Sequence, residues 1–406
     1  MQKKKNGSRT NTTICREGVY YLVSVLIVFS AAILRQVNPM LLFASLLICP
    51  LFLAWRMGRR TLFQLTIQRQ TPARVHAGDT FVVQVELINP RTKYSSWSIV
   101  AEDHIETVTS FLGQNQPAQH PAVYFEYAEP GEYRRKNYIG RLPHRGLYRF
   151  RQLTLSTRFP CGFFQSAKRI GESAELLVLP RIGKLSASWL TRQHEAVENQ
   201  HRRRYIPSRV SGEFLGVRHW QHGDAKRWIH WRKSAKLDKL VVKQFEQHQN
   251  RDTAILLDLF RTNSGDDLFP ATVRKYQENV ELAVSFTATL AAEVIRRGGC
   301  NLLFGTYNKK YEILHGPAAT PLLEQIFDRL AVLETPSQDC LAGMLLEMLT
   351  AIEPNTDLIL VTHQPLKLDD MSRFGSLRDD PRLRVLAQRL RIVDTSSEHF
   401  SDIFEV

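Results

Sequence analysis

Three histidines and an aspartate lie close together near the middle of the sequence: His219, His222, Asp224 and His230. Imidazole nitrogens and carboxylate oxygens are the donors from which many zinc sites are built. One hypothesis is therefore a metal-dependent hydrolase or nuclease that uses these four side chains. The competing interpretation, surface or packing histidines, is more common for such a group.

Short motifs for other reactions are absent from the sequence. It contains no GxSxG, no GxxxxGK[ST], no HExxH and no GxGxxG. These motifs mark a serine nucleophile, a phosphate loop, a zinc protease and a dinucleotide site, respectively. We therefore name no catalytic residue and no cofactor.

The segment 202–251 is strongly basic, with thirteen Arg and Lys residues against four Asp and Glu. It carries most of the net charge of +14 and would attract anionic lipid, nucleic acid or an acidic protein. Trp220, Trp228 and Trp231 are interleaved with the charges and could stack on bases. Tryptophans at this spacing more often anchor a core, so nucleic acid is not the partner we favour.

The composition predicts folded domains. The chain has 406 residues, of which 43% are hydrophobic and 23% charged. This length suits two or three domains, and the apolar fraction is too high for a disordered protein. The five cysteines include no CxxC pair and have an odd total, so we expect reduced thiols and no disulfide framework.

Two apolar segments, 18–34 and 37–55, predict a transmembrane helical hairpin. Each is close to the length that a helix needs to cross a bilayer. The basic N-terminus, residues 1–17, precedes them, and Arg56, Arg59 and Arg60 follow. The positive-inside bias then places both ends in the cytoplasm, with the lipid bilayer as a partner. A cleaved signal peptide is the alternative, which the second span makes less favoured.

The rest of the chain predicts a β domain followed by an α/β domain. Alternating apolar residues and turn signals over 61–181 indicate a β-sandwich. Residues 182–251 form a linker with the basic segment, and 252–406 alternate strands with helices, as in a doubly wound, mainly parallel sheet. The helices are predicted over 271–297, 322–333, 338–352 and 382–389. Sites in such sheets lie at the carboxyl ends of strands, here Asp258, Thr306 and Thr362 with His363.

The order of residues in the basic segment resembles the signature of the bacterial family called domain of unknown function 58. The matching positions are Gly212, Glu213, Phe214, Arg218, Gly223, Asp224, Arg227, His230, Trp231 and Ala235. The stretches 145–148, 159–164 and 178–181 are similar to landmarks of the same family. The resemblance implies a multi-pass protein of the bacterial inner membrane with a von Willebrand factor type A-like domain. It also implies an association with MoxR-type AAA+ ATPases.

The resemblance bears on both possible metal sites. The family usually has an acidic residue at position 219 and a proline at 222, which favours local variation over metal binding there. Type A domains that bind Mg²⁺ carry Asp-x-Ser-x-Ser after the first strand, with later oxygen ligands. Here Phe260 replaces a serine, leaving Asp258, Thr262 and Thr362 as a degenerate set. We therefore do not favour metal binding at either place.

The signature also has a structural explanation. We expect Asp224 to accept backbone N–H groups at the start of a helix, and Arg218 or Arg227 to pair with Glu213 or Asp224. The hypothesis that follows is a non-enzymatic membrane scaffold or adaptor that docks an ATPase. The metal-dependent enzyme and the nucleic-acid or lipid binder remain its alternatives.

Overall fold

The computed structural model describes most of the chain: residues 10–35, 38–109, 119–171, 173–187, 189, 213–222, 224–246, 252–261, 270–352, 356–366, 373 and 390–405. The chain divides into two compact units. The first contains Met1–Arg181 and Phe327–Glu334, and the second contains Ile182–Ile326 and Thr335–Val406.

Two apolar helices begin the first unit, α1 (Arg16–Arg35) and α2 (Asn38–Thr61). By length and composition both could cross a membrane. The hydroxyl of Tyr21 in α1 donates a hydrogen bond of 3.0 Å to the carbonyl of Leu47 in α2. Helix α2 continues beyond the predicted end of the apolar segment at residue 55, because an α-helix tolerates the arginines that follow as well as apolar residues.

The first unit also holds twelve strands among its described residues: β1 (Asn11–Ile14), β2 (Thr66–Gln70), β3 (Arg74–His76), β4 (Thr80–Ile88), β5 (Ser96–Glu102), β6 (Ile105–Thr107), β7 (Ala122–Ala128), β8 (Tyr133–Arg141), β9 (Gly146–Phe150), β10 (Leu153–Thr157), β11 (Phe164–Ile170) and β12 (Ala174–Leu179). They form sheets in the orders β1-β11-β10-β5-β7, β3-β12-β9-β6 and β2-β4-β8. Strands β3 and β12 pair in parallel, and the other pairs are antiparallel.

Period-two patterning accounts for the core of this unit. In β4, Phe81, Val83, Val85 and Leu87 are buried, and the residues between them are more exposed. These side chains belong to one apolar cluster with residues from the other sheets. The alternation that the sequence shows from Tyr148 to Leu155 is divided between β9 and β10, which lie in different sheets.

From residue 182 onward the described strands are β13 (Lys184–Leu185), β14 (Glu213–His219), β15 (Val241–Glu246), β16 (Thr253–Asp258), β17 (Asn301–Tyr307), β18 (Tyr311–Pro317), β19 (Asp357–Thr362), β20 (Leu390–Asp394) and β21 (Phe404–Glu405). The helices are α3 (Trp231–Leu237), α4 (Pro270–Arg297), α5 (Thr320–Ala331) and α6 (Leu341–Ala351). Short 3-10 turns cover Lys226–Trp228 and Glu398–Asp402. The helix predicted over 382–389 lies outside the described residues.

The central sheet of the second unit is mostly parallel, in the order β18-β17-β16-β19-β20. Strands β17, β16, β19 and β20 run parallel, and β18 is an antiparallel edge strand. Ala254 and Leu256 of β16 share an apolar cluster with Met344 and Met348 of α6. Ile255 and Leu257 point to the opposite face and are equally buried. The sequence of a parallel strand that is covered on both faces is a continuous run of apolar residues, and β16 has such a sequence.

Candidate functional site

The signature segment folds around an ion pair between Arg218 and Asp224. Strands β14 and β15 form an antiparallel pair in which Arg218 lies opposite Val242. Arg218 donates hydrogen bonds of 2.8 and 2.6 Å to the two carboxylate oxygens of Asp224. Asp224 also accepts a bond of 2.9 Å from the backbone N–H of Gln221. The bonds from Arg218 and then Gln221 lower the pKa of Asp224. The pairing thus closes the loop that follows β14.

His230, rather than Asp224, caps the helix of this segment. The prediction that Asp224 accepts backbone N–H groups at the start of a helix was wrong, because the N–H that it accepts belongs to Gln221, which precedes it. The 3-10 turn at Lys226–Trp228 has no side-chain cap, and α3 starts only at Trp231. Nδ1 of His230 accepts from the backbone N–H of Lys233 at 3.3 Å. Buried Ser234 then ties the helix to β15, since its Oγ accepts from the N–H of Val241 at 3.0 Å. Structural contacts therefore engage His230 and Asp224.

The remaining signature residues are distributed over the surface and the strand pair. Arg227 is exposed and lies over the ring of Trp228, 5.3 Å from its centroid. Trp231 is 67% exposed, and Ala235 is exposed beside it. Glu213 and Phe214 belong to β14, where only the backbone is described. Gly212 and Gly223 lie outside the described residues.

The structure does not gather His219, His222, Asp224 and His230 into a metal site. His219 and His222 are exposed, and the ring of His222 lies edge-on to Trp220 with centroids 6.2 Å apart. Within the described part of the chain, one group of three His, Cys, Asp or Glu residues brings its ligand atoms together, and it includes none of these four. The hydrolase hypothesis therefore has no geometric support in this segment.

A second concentration of polar groups lies at the carboxyl edge of the parallel sheet. Asp258 ends β16 and is paired in register with Thr362, which ends β19. Asp258 is 1% exposed, and its Oδ1 accepts a hydrogen bond of 3.1 Å from the N–H of Phe260. Thr306 of β17 and His363 are also buried at this edge. The strand ends therefore lie where the sequence predicts them.

Arg373 supplies the positive charge at this edge. Its Nη2 lies 2.8 Å from Oδ2 of Asp258. Its Nε and Nη2 donate to the two carboxylate oxygens of Asp339 at 2.7 and 3.0 Å. The guanidinium also lies 5.1 Å from the centroid of Phe260. We call Asp258, Asp339 and Arg373 the Arg373 ion-pair cluster.

The two carboxylates of the Arg373 ion-pair cluster have different environments. Burial raises the pKa of Asp258, and the charge of Arg373 opposes that effect. Burial also acts to raise the pKa of Asp339, but hydrogen bonds from Arg373 and from the N–H of Leu341 leave it lowered. The bond to Leu341, at 3.1 Å, places Asp339 at the start of α6. The cluster thereby links a strand end to a helix start.

The residues at this edge do not fit a bound Mg²⁺ ion. A hard cation needs several free oxygen ligands in octahedral geometry. Asp258 already faces the guanidinium of Arg373, and Thr362 donates its hydroxyl proton to the carbonyl of Gln364 at 3.1 Å. Thr262, the third residue of the degenerate set, lies outside the described residues. The guanidinium of Arg373 therefore lies beside Asp258, where a bound cation would have to be.

His363 is a neutral, buried neighbour of the cluster. It is 2% exposed, and the ring of Tyr276 lies edge-on with centroids 5.0 Å apart. Burial lowers the pKa of His363 to about 4. The imidazole is therefore uncharged at neutral pH and cannot serve as a second cation beside Arg373.

Sequence reasoning missed Arg373 and Asp339. Asp339 had a usable signal, because an aspartate just before an apolar helical pattern is typical of a helix start. Arg373 had none, since it is far from Asp258 in the sequence and no periodic element surrounds it. Only the folded chain brings the three side chains together.

Comparison with known proteins supports the family resemblance for part of the chain. Residues 216–315 match the family model described as "Protein of unknown function DUF58". The match covers the signature from Arg218 onward and continues through β17 and into β18. No curated protein matches the sequence.

Several solved structures resemble parts of the chain weakly. The CARDB domain of a Pyrococcus furiosus protein, solved in complex with di-metal ions, is 12% identical, with 29% of this chain and 88% of that chain covered and a TM-score of 0.17. The superoxide reductase (neelaredoxin) of Ignicoccus hospitalis is 18% identical, with coverages of 28% and 80% and a TM-score of 0.20. The sporulation control protein Spo0M of Bacillus subtilis is 12% identical, with coverages of 39% and 58% and a TM-score of 0.18. TM-scores this low do not support a conclusion about fold or function.

Proposed function

We propose that this chain is a scaffold or adaptor of the bacterial inner membrane that docks a MoxR-type AAA+ ATPase through its signature segment. The observation that carries the proposal is an exposed apolar group on and after α3. Trp231, Leu237 and Leu240 are 67%, 52% and 47% exposed. We call these three residues the α3 docking face.

Exposed large apolar side chains that are grouped on one element are typical of protein interaction sites. Tryptophan and arginine are also the residues on which binding energy is most often concentrated. The α3 docking face has exposed cations around it, namely Arg232, Lys233, Lys236 and Lys239. An acidic surface on the ATPase would complement that charge and speed the encounter.

The carboxyl edge of the parallel sheet supports a non-catalytic role for the protein. The Arg373 ion-pair cluster satisfies buried Asp258 with a charge from the chain itself. We propose that 252–406 is a type A-like domain that has lost its metal, and that the strands of 61–181 form a β-sandwich. Both would then serve as rigid parts of an adaptor.

Membrane anchoring is the second element of the proposal. Helices α1 and α2 are compatible with a two-helix anchor. The basic flanks on both sides support an orientation in which the chain outside these two helices lies in the cytoplasm. Reporter fusions after Arg60 and at Val406 should both behave as cytoplasmic. A periplasmic reporter signal at Val406 would overturn this orientation.

A pull-down from detergent-solubilised membranes tests the docking. The full-length chain should recover a MoxR-type ATPase, and a variant with Trp231→Ala and Leu240→Ser should recover much less. Leu346→Ala is the matched control, because Leu346 is 45% exposed and belongs to a different helix, α6. Failure of the parent chain to recover such an ATPase, with or without ATP, would contradict the proposal.

A further inference from the structure

The outer side of the first unit carries three metal-ligand side chains on one face of neighbouring strand segments. Glu102 ends β5, and His104 follows two residues later. Side chains two apart in extended backbone point to the same face. Asp103, between them, points inward and is 1% exposed, as the alternation requires. Glu102 and His104 therefore share the outer face.

The third residue comes from across the strand pair. Ile105 and Gln119 exchange backbone hydrogen bonds of 3.0 and 3.1 Å in antiparallel register. His120 follows Gln119, so this register places it opposite His104. The two Nδ1 atoms lie 2.7 Å apart, and the rings are edge-to-face with centroids separated by 4.6 Å. One ligand atom from each of Glu102, His104 and His120 lies within 4.8 Å of the other two.

A buried hydrogen-bond network on the inner side of the strand holds the backbone at His104 in place. Arg69 lies 2.6 Å from Asp103, with both side chains almost fully buried. The hydroxyl of Tyr138 donates to the same carboxylate at 2.8 Å. Asp103 also accepts from the backbone N–H of His104 at 2.9 Å. Such supporting contacts restrict a ligand side chain to a small range of positions.

We propose that Glu102, His104 and His120 bind one divalent transition metal ion, with zinc as the ion that fits best. Two imidazole nitrogens at this distance can share only one proton, whereas a metal ion accepts both lone pairs and offsets the carboxylate charge. Two nitrogens and one oxygen suit zinc and its neighbours, while Mg²⁺ and Ca²⁺ require more oxygen ligands.

The side chains of Glu102, His104 and His120 need to move only slightly to bind a zinc ion. With zinc–nitrogen bonds of about 2.0–2.1 Å, a tetrahedral centre sets its nitrogens about 3.3 Å apart. The rings of His104 and His120 must therefore separate by roughly half an ångström relative to their present contact. Nδ1 of His104 also lies 3.1 Å from the carbonyl of Asp103, a contact that metal binding would replace. His120 is exposed, which leaves a fourth position open to solvent.

The test is metal binding by the full-length protein in detergent, purified with a tag that contains no histidine and then treated with EDTA. Titration with Co²⁺ should give the visible absorption of a tetrahedral site, and Zn²⁺ should abolish it at one ion per chain. His104→Gln combined with His120→Gln should weaken binding by at least about tenfold, the lower bound for losing even an outer partner of a ligand. Glu102→Gln alone should weaken it as well.

Two controls make the result decisive. The double variant His219→Ala, His222→Ala removes two exposed histidines elsewhere and should bind metal as the parent does. Zn²⁺ should raise the thermal midpoint of the parent and of this control but not of His104→Gln, His120→Gln. Equal midpoints in EDTA would show that the variants fold. No binding by the parent, or equal binding by His104→Gln, His120→Gln, would overturn the proposal, which is independent of the proposed docking function.

Discussion

Nη2 of Arg373 lies 2.8 Å from Oδ2 of Asp258, although the two residues are far apart in the sequence. Asp258 is 1% exposed, so its charge has little water to stabilise it. Arg373 provides the compensating charge, and its bonds to Asp339 hold the guanidinium in place. The strand end at Asp258 and the helix start at Asp339 are therefore coupled through one side chain.

Removing Arg373 should destabilise the second unit strongly. Arg373→Ala leaves Asp258 buried without an opposite charge, and breaking a buried pair on one side costs about 3–5 kcal/mol. Denaturant unfolding of the full-length chain in detergent measures the loss. Arg274→Ala is the control, because its side chain is 82% exposed and it should change stability by less than about 0.5 kcal/mol. Equal stability of Arg373→Ala and the parent would show that the pair is not formed.

The same cluster predicts indifference to magnesium. Because the guanidinium of Arg373 already faces Asp258, Mg²⁺ should leave the thermal midpoint of the parent unchanged. A ligand that binds the folded state alone would raise the midpoint, and above the Kd the stabilisation would grow with the logarithm of the ligand concentration. A rise with Mg²⁺ that disappears in Asp258→Asn would show that Asp258 binds the ion despite its pairing with Arg373.

His363 should make the second unit less stable in mild acid. Its pKa is lowered to about 4 from an ordinary value of 6.5, so the unfolded chain binds the proton more readily between these values. Stability should therefore be complete above pH 6.5 and fall as the pH is lowered towards 4, by up to about 3 kcal/mol. His363→Leu should flatten this slope. A stability difference between parent and variant that is constant from neutral pH to pH 4.5 would contradict the prediction.

The sequence predicts those parts of the fold whose patterns are local. Strands β16 and β19 are uninterrupted apolar runs, and their ends at Asp258 and Thr362 follow directly from that pattern. Helix α4 has a long amphipathic period and begins within one residue of its predicted start. Strand β18 was not predicted, because it is an edge strand with mixed polarity that depends on pairing with β17.

Contacts between distant segments could not be predicted in the same way. The start of α6 at Leu341, rather than at the predicted residue 338, follows from the bond that Asp339 accepts from Leu341. Glu102 and His104 are neighbours on one strand face, but His120 joins them only through the pairing of Ile105 with Gln119. His219, His222, Asp224 and His230 are close in sequence and therefore suggested a metal site, but the fold does not bring their ligand atoms together.

The signature pair should contribute to stability, and Arg227 should not. Arg218→Ala or Asp224→Ala removes a bidentate, partly exposed ion pair and leaves the loop after β14 open, at a cost of about 1 kcal/mol. Arg227→Ala removes only an exposed stacking contact on Trp228 and serves as the matched control. Thermal unfolding of the three variants in detergent gives the comparison. If all three variants have the same thermal midpoint as the parent and yet fail to support the protein's role in cells, the signature is a functional site rather than a structural one.

Arg91 should fix the end of α2 to the strands that follow it. It is 8% exposed and donates to the carbonyls of Arg60 and Thr61, at 2.8 and 3.4 Å, and to Asn89 at 2.9 Å. The carbonyl end of a helix carries partial negative charge, which compensates the buried guanidinium. Burial nevertheless lowers the pKa of Arg91 from its ordinary value.

Arg91→Met should therefore remove the guanidinium bonds to Arg60, Thr61 and Asn89, at a cost of about 1–3 kcal/mol to the first unit. Each of these acceptors keeps one other donor, namely the N–H of Phe63, the hydroxyl of Ser96 and the backbone N–H of residue 91, respectively. Arg91→Lys should recover part of this loss, because an ammonium reaches fewer of the acceptors than the guanidinium fork. Lys93→Ala is the control, since Lys93 is exposed two residues away. Thermal unfolding and amide hydrogen exchange in the last turn of α2 measure the effect. Unchanged exchange at residues 60–62 in Arg91→Met would show that the helix end is held by other contacts.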